Sequence, residues 1–132
     1  MKKILIVEDD KMNQKLFDLL LTKNGFQTRI SDDGNNIVDV IKDYNPNLIL
    51  MDINLPTYSG VELLQIIRSD NDTKHYKIIA LTAYAMYGDR EKFMSAGFDF
   101  YIKKPIDINH FITTITDMVN ERAIDTECQN TT

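Results

Sequence analysis

With 132 residues, 43% of them hydrophobic and 27% charged, the chain has the make-up of one ordinary globular domain able to bury a substantial core. Its net charge of −5, with no run of Lys or Arg, argues against a nucleic-acid surface, and its longest apolar runs are too short to span a bilayer. Ile4 to Val7 runs straight into Glu8, Asp9 and Asp10, which excludes a signal peptide, and the single Cys128 excludes an intrachain disulfide and points to a reducing, cytoplasmic setting.

In chain order, "KILIVE" (3–8) predicts a buried strand. Met12, Leu16, Leu19 and Leu20 follow at helical spacing, with Gly25 placed to close that helix. "QTRIS" (27–31) is a weaker second strand, and Ile37, Ile41 and Tyr44 mark a helix that stops before Pro46. "NLILMDINLP" (47–56) holds the third strand, continuously apolar from Leu48 to Met51, as expected when both faces are covered, and then ending on Asp52. Val61, Leu64 and Ile67 mark the third helix, and "KIIALT" (77–82) the fourth strand. A fourth helix is predicted from about Met86 to Ala96, with Gly97 as its cap, before a short fifth strand, "DFYI" (99–102). Ile108, Phe111, Ile112, Ile115, Met118 and Val119 define the most clearly amphipathic helix, with Asp107 as N-cap. Residues 123–132 lack periodicity and read as a frayed tail.

Strands alternating with helices predict an α/β fold with parallel strands joined by right-handed crossovers. All strand C-termini then share one edge, where such folds bind ligands. Glu8, Asp9 and Asp10 follow the first strand, Asp52 ends the third, Thr82 ends the fourth, and Lys103, Lys104 and Pro105 follow the fifth. Only "SDDG", after the second strand, has no evident role there. Carboxylates brought together repel one another and call for a cation. Oxygen donors without His or Cys favour Mg²⁺, with Mn²⁺ as the substitute, and leave coordination positions for phosphate oxygens. A carboxylate is a known phosphoryl nucleophile, and an ammonium and a hydroxyl neutralise and position the transferred group. Taken singly, Asp9 or Asp10 reads as a helix cap, Lys104–Pro105 as a turn and Thr82 as an ordinary strand end. The joint pattern at four of five aligned ends is what carries the functional reading.

"ILIVEDD" (4–10), "LILMDINLPTYSG" (48–60), "IIALTAYA" (78–85) and "YIKKP" (101–105) together resemble the receiver domain of two-component response regulators, most of all the stand-alone, single-domain kind. The resemblance covers residues 1–121 and leaves 122–132 as a short polar tail. It implies a flavodoxin-like, doubly wound, five-stranded parallel sheet in the order 2-1-3-4-5, flanked by five helices. It further implies that Asp52 accepts the phosphoryl group, that Asp9 and Asp52 bind Mg²⁺ with the backbone carbonyl of Asn54, and that Glu8 acts through a metal-bound water. Lys104 would pair with the phosphoryl group, Thr82 would hydrogen-bond to it, and the Lys104–Pro105 bond would be cis. Glu8 stands where the family more often has Asp. Tyr101 occupies the position of the aromatic switch residue, with packing in a half-buried site as its plain alternative. Asp10 is left as a helix cap.

The implied protein is a phosphorelay component rather than an enzyme, limited to accepting and slowly losing its phosphoryl group. Its donor would be a histidine kinase or a histidine phosphotransfer protein. Its downstream protein target would read the face of the fourth helix, fifth strand and fifth helix, with Tyr84, Met86, Tyr87, Ile106 and His110 near that surface. No residues are left for an output domain, so output is expected through a protein contact or onward phosphotransfer, by a monomer whose alternative on phosphorylation is a dimer. Asn54 and Tyr84 are expected to tune the phosphoaspartate lifetime in opposite directions, and Tyr84→Ala is expected to shorten it. His75 and His110 lack ligand-spaced partners and read as surface residues. The competing readings are a receiver-like interaction module that works without phosphorylation, a flavodoxin-type electron carrier and an aspartate-nucleophile phosphohydrolase. The acids of "EDDKMN" would repel a flavin phosphate, and Asn54 stands where the hydrolase needs its second acid.

Overall fold

The computed structural model describes residues 1–83 and 89–120. Ten elements alternate along them: β1 (Lys3–Val7), α1 (Lys11–Lys23), β2 (Gln27–Ser31), α2 (Ile37–Tyr44), β3 (Leu48–Asp52), α3 (Gly60–Ser69), β4 (Ile78–Thr82), α4 (Asp89–Ala96), β5 (Phe100–Lys103) and α5 (Ile108–Val119). The strands form one parallel sheet in the order β2-β1-β3-β4-β5. Fold class and strand order are those the sequence and its resemblance implied. No helix among the described residues is long and apolar enough to cross a membrane.

The register explains why the central strands are apolar without alternation. Ile6, Leu50 and Ile79 align across the sheet, as do Val7, Met51 and Ala80 one residue on. The first row packs with Phe17 and Leu21 of α1 and Phe111 and Ile115 of α5. The second packs on the opposite side with Ile37 and Ile41 of α2 and Leu63, Leu64 and Ile67 of α3. Successive side chains of a strand point to opposite faces, so covering both faces demands apolar residues at every position. Each fully buried Leu, Ile or Phe side chain contributes about 1.5–3 kcal/mol relative to exposure.

The first helix forms where expected but turns a different face inward. Met12, Leu16 and Leu19 are 80%, 38% and 57% exposed, whereas Gln14, Phe17 and Leu21 are buried. This helix is apolar on more than one side, and the stripe holding its aromatic ring wins. Phe17 stacks on Phe111 of α5 with ring centroids 5.3 Å apart, a contact the leucine stripe cannot supply. Leu20 is half-buried at the margin of that cluster. Ile108 of the fifth helix is likewise exposed, at 52%, while Phe111, Thr114, Ile115 and Val119 form the buried stripe of α5.

The helix ends follow local chemistry. Asp10 caps α1 by accepting from Met12 N at 3.0 Å, and Asp107 caps α5 by accepting from His110 N at 3.1 Å. Gly25 closes α1 with φ +89°, while Phe26 N donates to Leu21 O and Gly25 N to Thr22 O. That paired pattern needs a left-handed residue, which glycine adopts without strain. The fourth helix is described over Asp89–Ala96; its expected start at Met86, together with Tyr84, Tyr87 and the tail from 121 on, lies outside the described residues.

Candidate functional site

Four of the five strands deliver a polar residue to the carboxyl edge of the sheet. The first strand stops at Val7, one residue short of expectation, so Glu8 stands at its mouth with its N–H donating to Ser31 O at 3.1 Å. Asp52 is the last residue of β3 and Thr82 the last of β4, both buried. β5 runs to Lys103, so Lys104 leaves the strand at the same edge. Lys104 N donates to Thr82 O at 2.7 Å, and the Lys104–Pro105 bond is cis, as expected.

These side chains converge. Carboxylate oxygens of Glu8, Asp9 and Asp52 lie within 4.8 Å of one another. Lys104 Nζ lies 3.0 Å from Glu8 Oε1 and 3.4 Å from Asp52 Oδ1. Glu8 and Asp52 are buried, while Asp9 is exposed and gives the cluster one open side. Burial pushes the Glu8 carboxyl above the ordinary glutamate range; the hydrogen bond from Lys104 pulls against it, and the charge of Asp52 pushes it further up. Burial pulls Lys104 down, but the hydrogen bonds and charges of Glu8 and Asp52 outweigh it and leave the ammonium above the ordinary lysine range. The donor set is oxygen only and partly open, which suits a hard divalent cation such as Mg²⁺ that keeps several waters.

The loop after β3 is folded back against its own strand. Asn54 N donates to Asp52 Oδ1 at 3.1 Å, and Asn54 bridges to Ser59. Ser59 and Glu62 form a reciprocal capping box, Glu62 N to Ser59 Oγ at 3.1 Å and Ser59 N to Glu62 Oε1 at 2.9 Å. Gly60 N donates to Ile53 O at 2.8 Å. A Cβ on Gly60 would fall 2.6 Å from Asp52 O and 2.8 Å from Ile53 Cα, so only glycine permits this approach. Sequence reasoning gave Gly60 no role, although "SGVE", a cap residue with Glu three positions on, carries the signal.

The remaining expected residues are distributed as follows. Tyr101 is half-buried against the α2–α3–α4 side, its ring centroid 6.1 Å from that of Phe93. Ile106 is half-buried on the α1–α5 side and, with Leu16, Ala83, Lys104 and Pro105, borders a groove of about 390 Å³ that reaches the site. Asn54, His75 and His110 are exposed, the last two away from the acidic cluster. Gln14 was missed. It is buried on α1, and its Nε2 donates at 2.6 Å both to Glu8 O and to Asp32 Oδ1. In the sequence it is one more polar residue of a helix, between Asn13 and Lys15, with nothing to mark it as buried.

Comparison with known proteins agrees with this fold and gives the family. The family model of the response regulator receiver domain matches residues 4–116. The polar-differentiation response regulator DivK of Brucella anthropi is 39% identical over 120 residues, which span 91% of this chain and 98% of that protein. The receiver domain of the sensor histidine kinase PA1611 from Pseudomonas aeruginosa, solved with a magnesium ion coordinated in its active site cleft, is similar at a TM-score of 0.81 and 31% identity, over 90% of this chain and 98% of that one. The chemotaxis protein CheY4 of Vibrio cholerae shares the fold, with a TM-score of 0.81 at 20% identity, covering 89% and 98% of the two chains.

Proposed function

Since the chain belongs to the family of response regulator receiver domains, we propose that it accepts a phosphoryl group on Asp52 from a histidine kinase or a histidine phosphotransfer protein, in a Mg²⁺-dependent reaction, and thereby switches a protein-binding face. The observation that carries this reading is the cluster of Glu8, Asp9 and Asp52, with the ammonium of Lys104 3.0 Å and 3.4 Å from two of the three carboxylates. Like charges so close repel unless cations balance them, and a receiver uses that balance twice. Asp9, Asp52 and the backbone carbonyl of Asn54 would hold Mg²⁺, or Mn²⁺ in its place, with Glu8 acting through a water. Bound there, the ion offsets the negative charge of the cluster and of the incoming phosphoryl oxygens.

An oxygen of Asp52 attacks phosphorus while the bond to the donor histidine nitrogen breaks. The electron pair of that bond returns to the imidazole. Lys104 then trades its carboxylate partners for phosphoryl oxygens, and the Thr82 hydroxyl turns toward them. The modification adds about −1.5 to −2 charge at a single point, enough to bias two arrangements that are already accessible. Tyr101 moves inward as Thr82 shifts, and the face of α4, β5 and α5 presents a changed surface to the downstream target.

In this reading residues 1–121 are the receiver unit. The protein acts as a cytoplasmic monomer, with a dimer as the alternative on phosphorylation. It performs no turnover beyond taking up and slowly losing its phosphoryl group. Incubation with Mg²⁺ and acetyl phosphate, followed by intact mass, tests the core of it. The wild-type chain should gain one phosphate, and Asp52→Asn, or wild type in excess chelator, should gain none. Equal phosphate uptake by Asp52→Asn would refute the assignment.

A further inference from the structure

Gln14 is the buried polar side chain of α1 that the chemistry above leaves unused. It is 6% exposed and shares the inner face of the helix with Phe17 and Leu21. One side-chain nitrogen makes both of its hydrogen bonds, 2.6 Å to Glu8 O and 2.6 Å to Asp32 Oδ1, so both amide protons are committed. Asp32 also takes Lys11 Nζ at 3.2 Å. Its carboxyl is held below the ordinary aspartate range by Gln14 first and Lys11 second. Asp32 belongs to "SDDG", the strand-end segment for which the sequence offered no role.

The Glu8 carbonyl immediately precedes Asp9, the open member of the acidic cluster. The turn from Glu8 to Asp10 is also fixed by Glu8 N to Ser31 O at 3.1 Å and by Asp10 N to Glu8 Oε2 at 3.2 Å. Both bonds use groups other than the carbonyl that leads into Asp9. The backbone on either side of an aspartate sets its Cα–Cβ direction and the rotamers open to it, and on the Glu8 side Gln14 holds the carbonyl of that backbone.

We propose that Gln14 is a positioning residue: by clamping the Glu8 carbonyl to Asp32 in the loop after β2, it fixes the direction in which Asp9 faces Asp52 and so sets the affinity of the acidic cluster for Mg²⁺. The inference rests on the reading of that cluster as a divalent-ion site. Its chemistry is that of partners beyond the ligands themselves, whose loss typically weakens metal binding by ten- to a hundredfold.

The test titrates Mg²⁺ into wild type, Gln14→Met, Gln14→Lys and Asp32→Ala by calorimetry, and follows phosphorylation by acetyl phosphate at limiting and saturating Mg²⁺ by intact mass. Methionine keeps the length of the side chain but donates nothing, whereas lysine restores a donor. Gln14→Met should bind Mg²⁺ on the order of tenfold more weakly, yet reach the wild-type phosphorylation rate once Mg²⁺ saturates. Gln14→Lys should recover most of the affinity, and Asp32→Ala should fall between wild type and Gln14→Met. Because Asp32 is exposed, its variant yields the affinity comparison even if substitution at Gln14 prevents folding. A Gln14→Met protein with wild-type affinity, or one whose rate stays low at saturating Mg²⁺ and whose affinity lysine does not restore, would overturn the inference and leave the acidic site standing. A wild-type protein that binds no Mg²⁺ would remove the site and the inference together.

Discussion

The middle of the sheet and its carboxyl edge are built from the same five strands on opposite terms. In the middle, Ile6, Leu50 and Ile79 are wholly buried among apolar neighbours, and their burial stabilises the fold. Two or three residues on, Glu8, Asp52 and Thr82 are almost as deeply buried, yet they are polar or charged. Burying a charge is unfavourable unless partners compensate, and Lys104 is the partner for two of them. The edge therefore stores electrostatic tension that the interior offsets. A substitution in the interior should lower stability and leave the site's chemistry alone, whereas a substitution at the edge should change the chemistry and can even raise stability.

The sharpest way to break that division is Phe17→Ala. Loss of the ring stacked on Phe111 should destabilise the protein by about 3–5 kcal/mol in denaturant unfolding, while the folded fraction keeps its Mg²⁺ affinity. A matching collapse of Mg²⁺ affinity would show that interior and edge are not separable. Gly60→Ala sits on the border between the two. Its methyl would press on the backbone at Asp52 and Ile53, so a loss of about 1–3 kcal/mol should be accompanied by slower phosphorylation.

Glu8→Gln should act with the opposite sign. The folded-state pKa of Glu8 is raised, so its contribution to stability is fully present below the ordinary glutamate value of about 4.3 and is lost as the pH rises through the higher folded value. In metal-free buffer the variant should gain stability over wild type as the pH goes from about 4 to 7, while binding Mg²⁺ on the order of tenfold more weakly at pH 7. Equal pH dependence in the two proteins would show that burial of Glu8 carries no electrostatic penalty. The smallest change should come from Met12→Ser on the outer face of α1, within about 0.5 kcal/mol of wild type, because that side chain is 80% exposed.

The strands were legible because both-face burial leaves unbroken runs such as "LILMD" and "IIALT", and the site was legible because those runs end in the wrong chemistry for a core. The strand order came from resemblance, since periodicity alone does not say which strands are neighbours. The inward face of α1 was misjudged because hydropathy counts leucines and does not see that Phe17 has a ring to meet on α5. Gln14 and Gly60 escaped for a related reason. Their roles are hydrogen bonds and a close backbone approach between segments distant in space, and neither leaves a periodic mark. Asp10 and Asp107, whose partners lie two and three residues away, were read correctly as caps.

In the proposed function Asp52 carries the phosphoryl group. Borohydride reduction of protein treated with Mg²⁺ and acetyl phosphate, followed by peptide mass mapping, tests it at the level of the residue. An acyl phosphate at this position is reduced to the alcohol, so the peptide spanning the end of β3 should carry homoserine at position 52 and aspartate at position 9. Homoserine at any other aspartate, the corresponding five-carbon alcohol at a glutamate, or aspartate retained at 52 in protein whose intact mass shows a phosphate, would contradict this assignment.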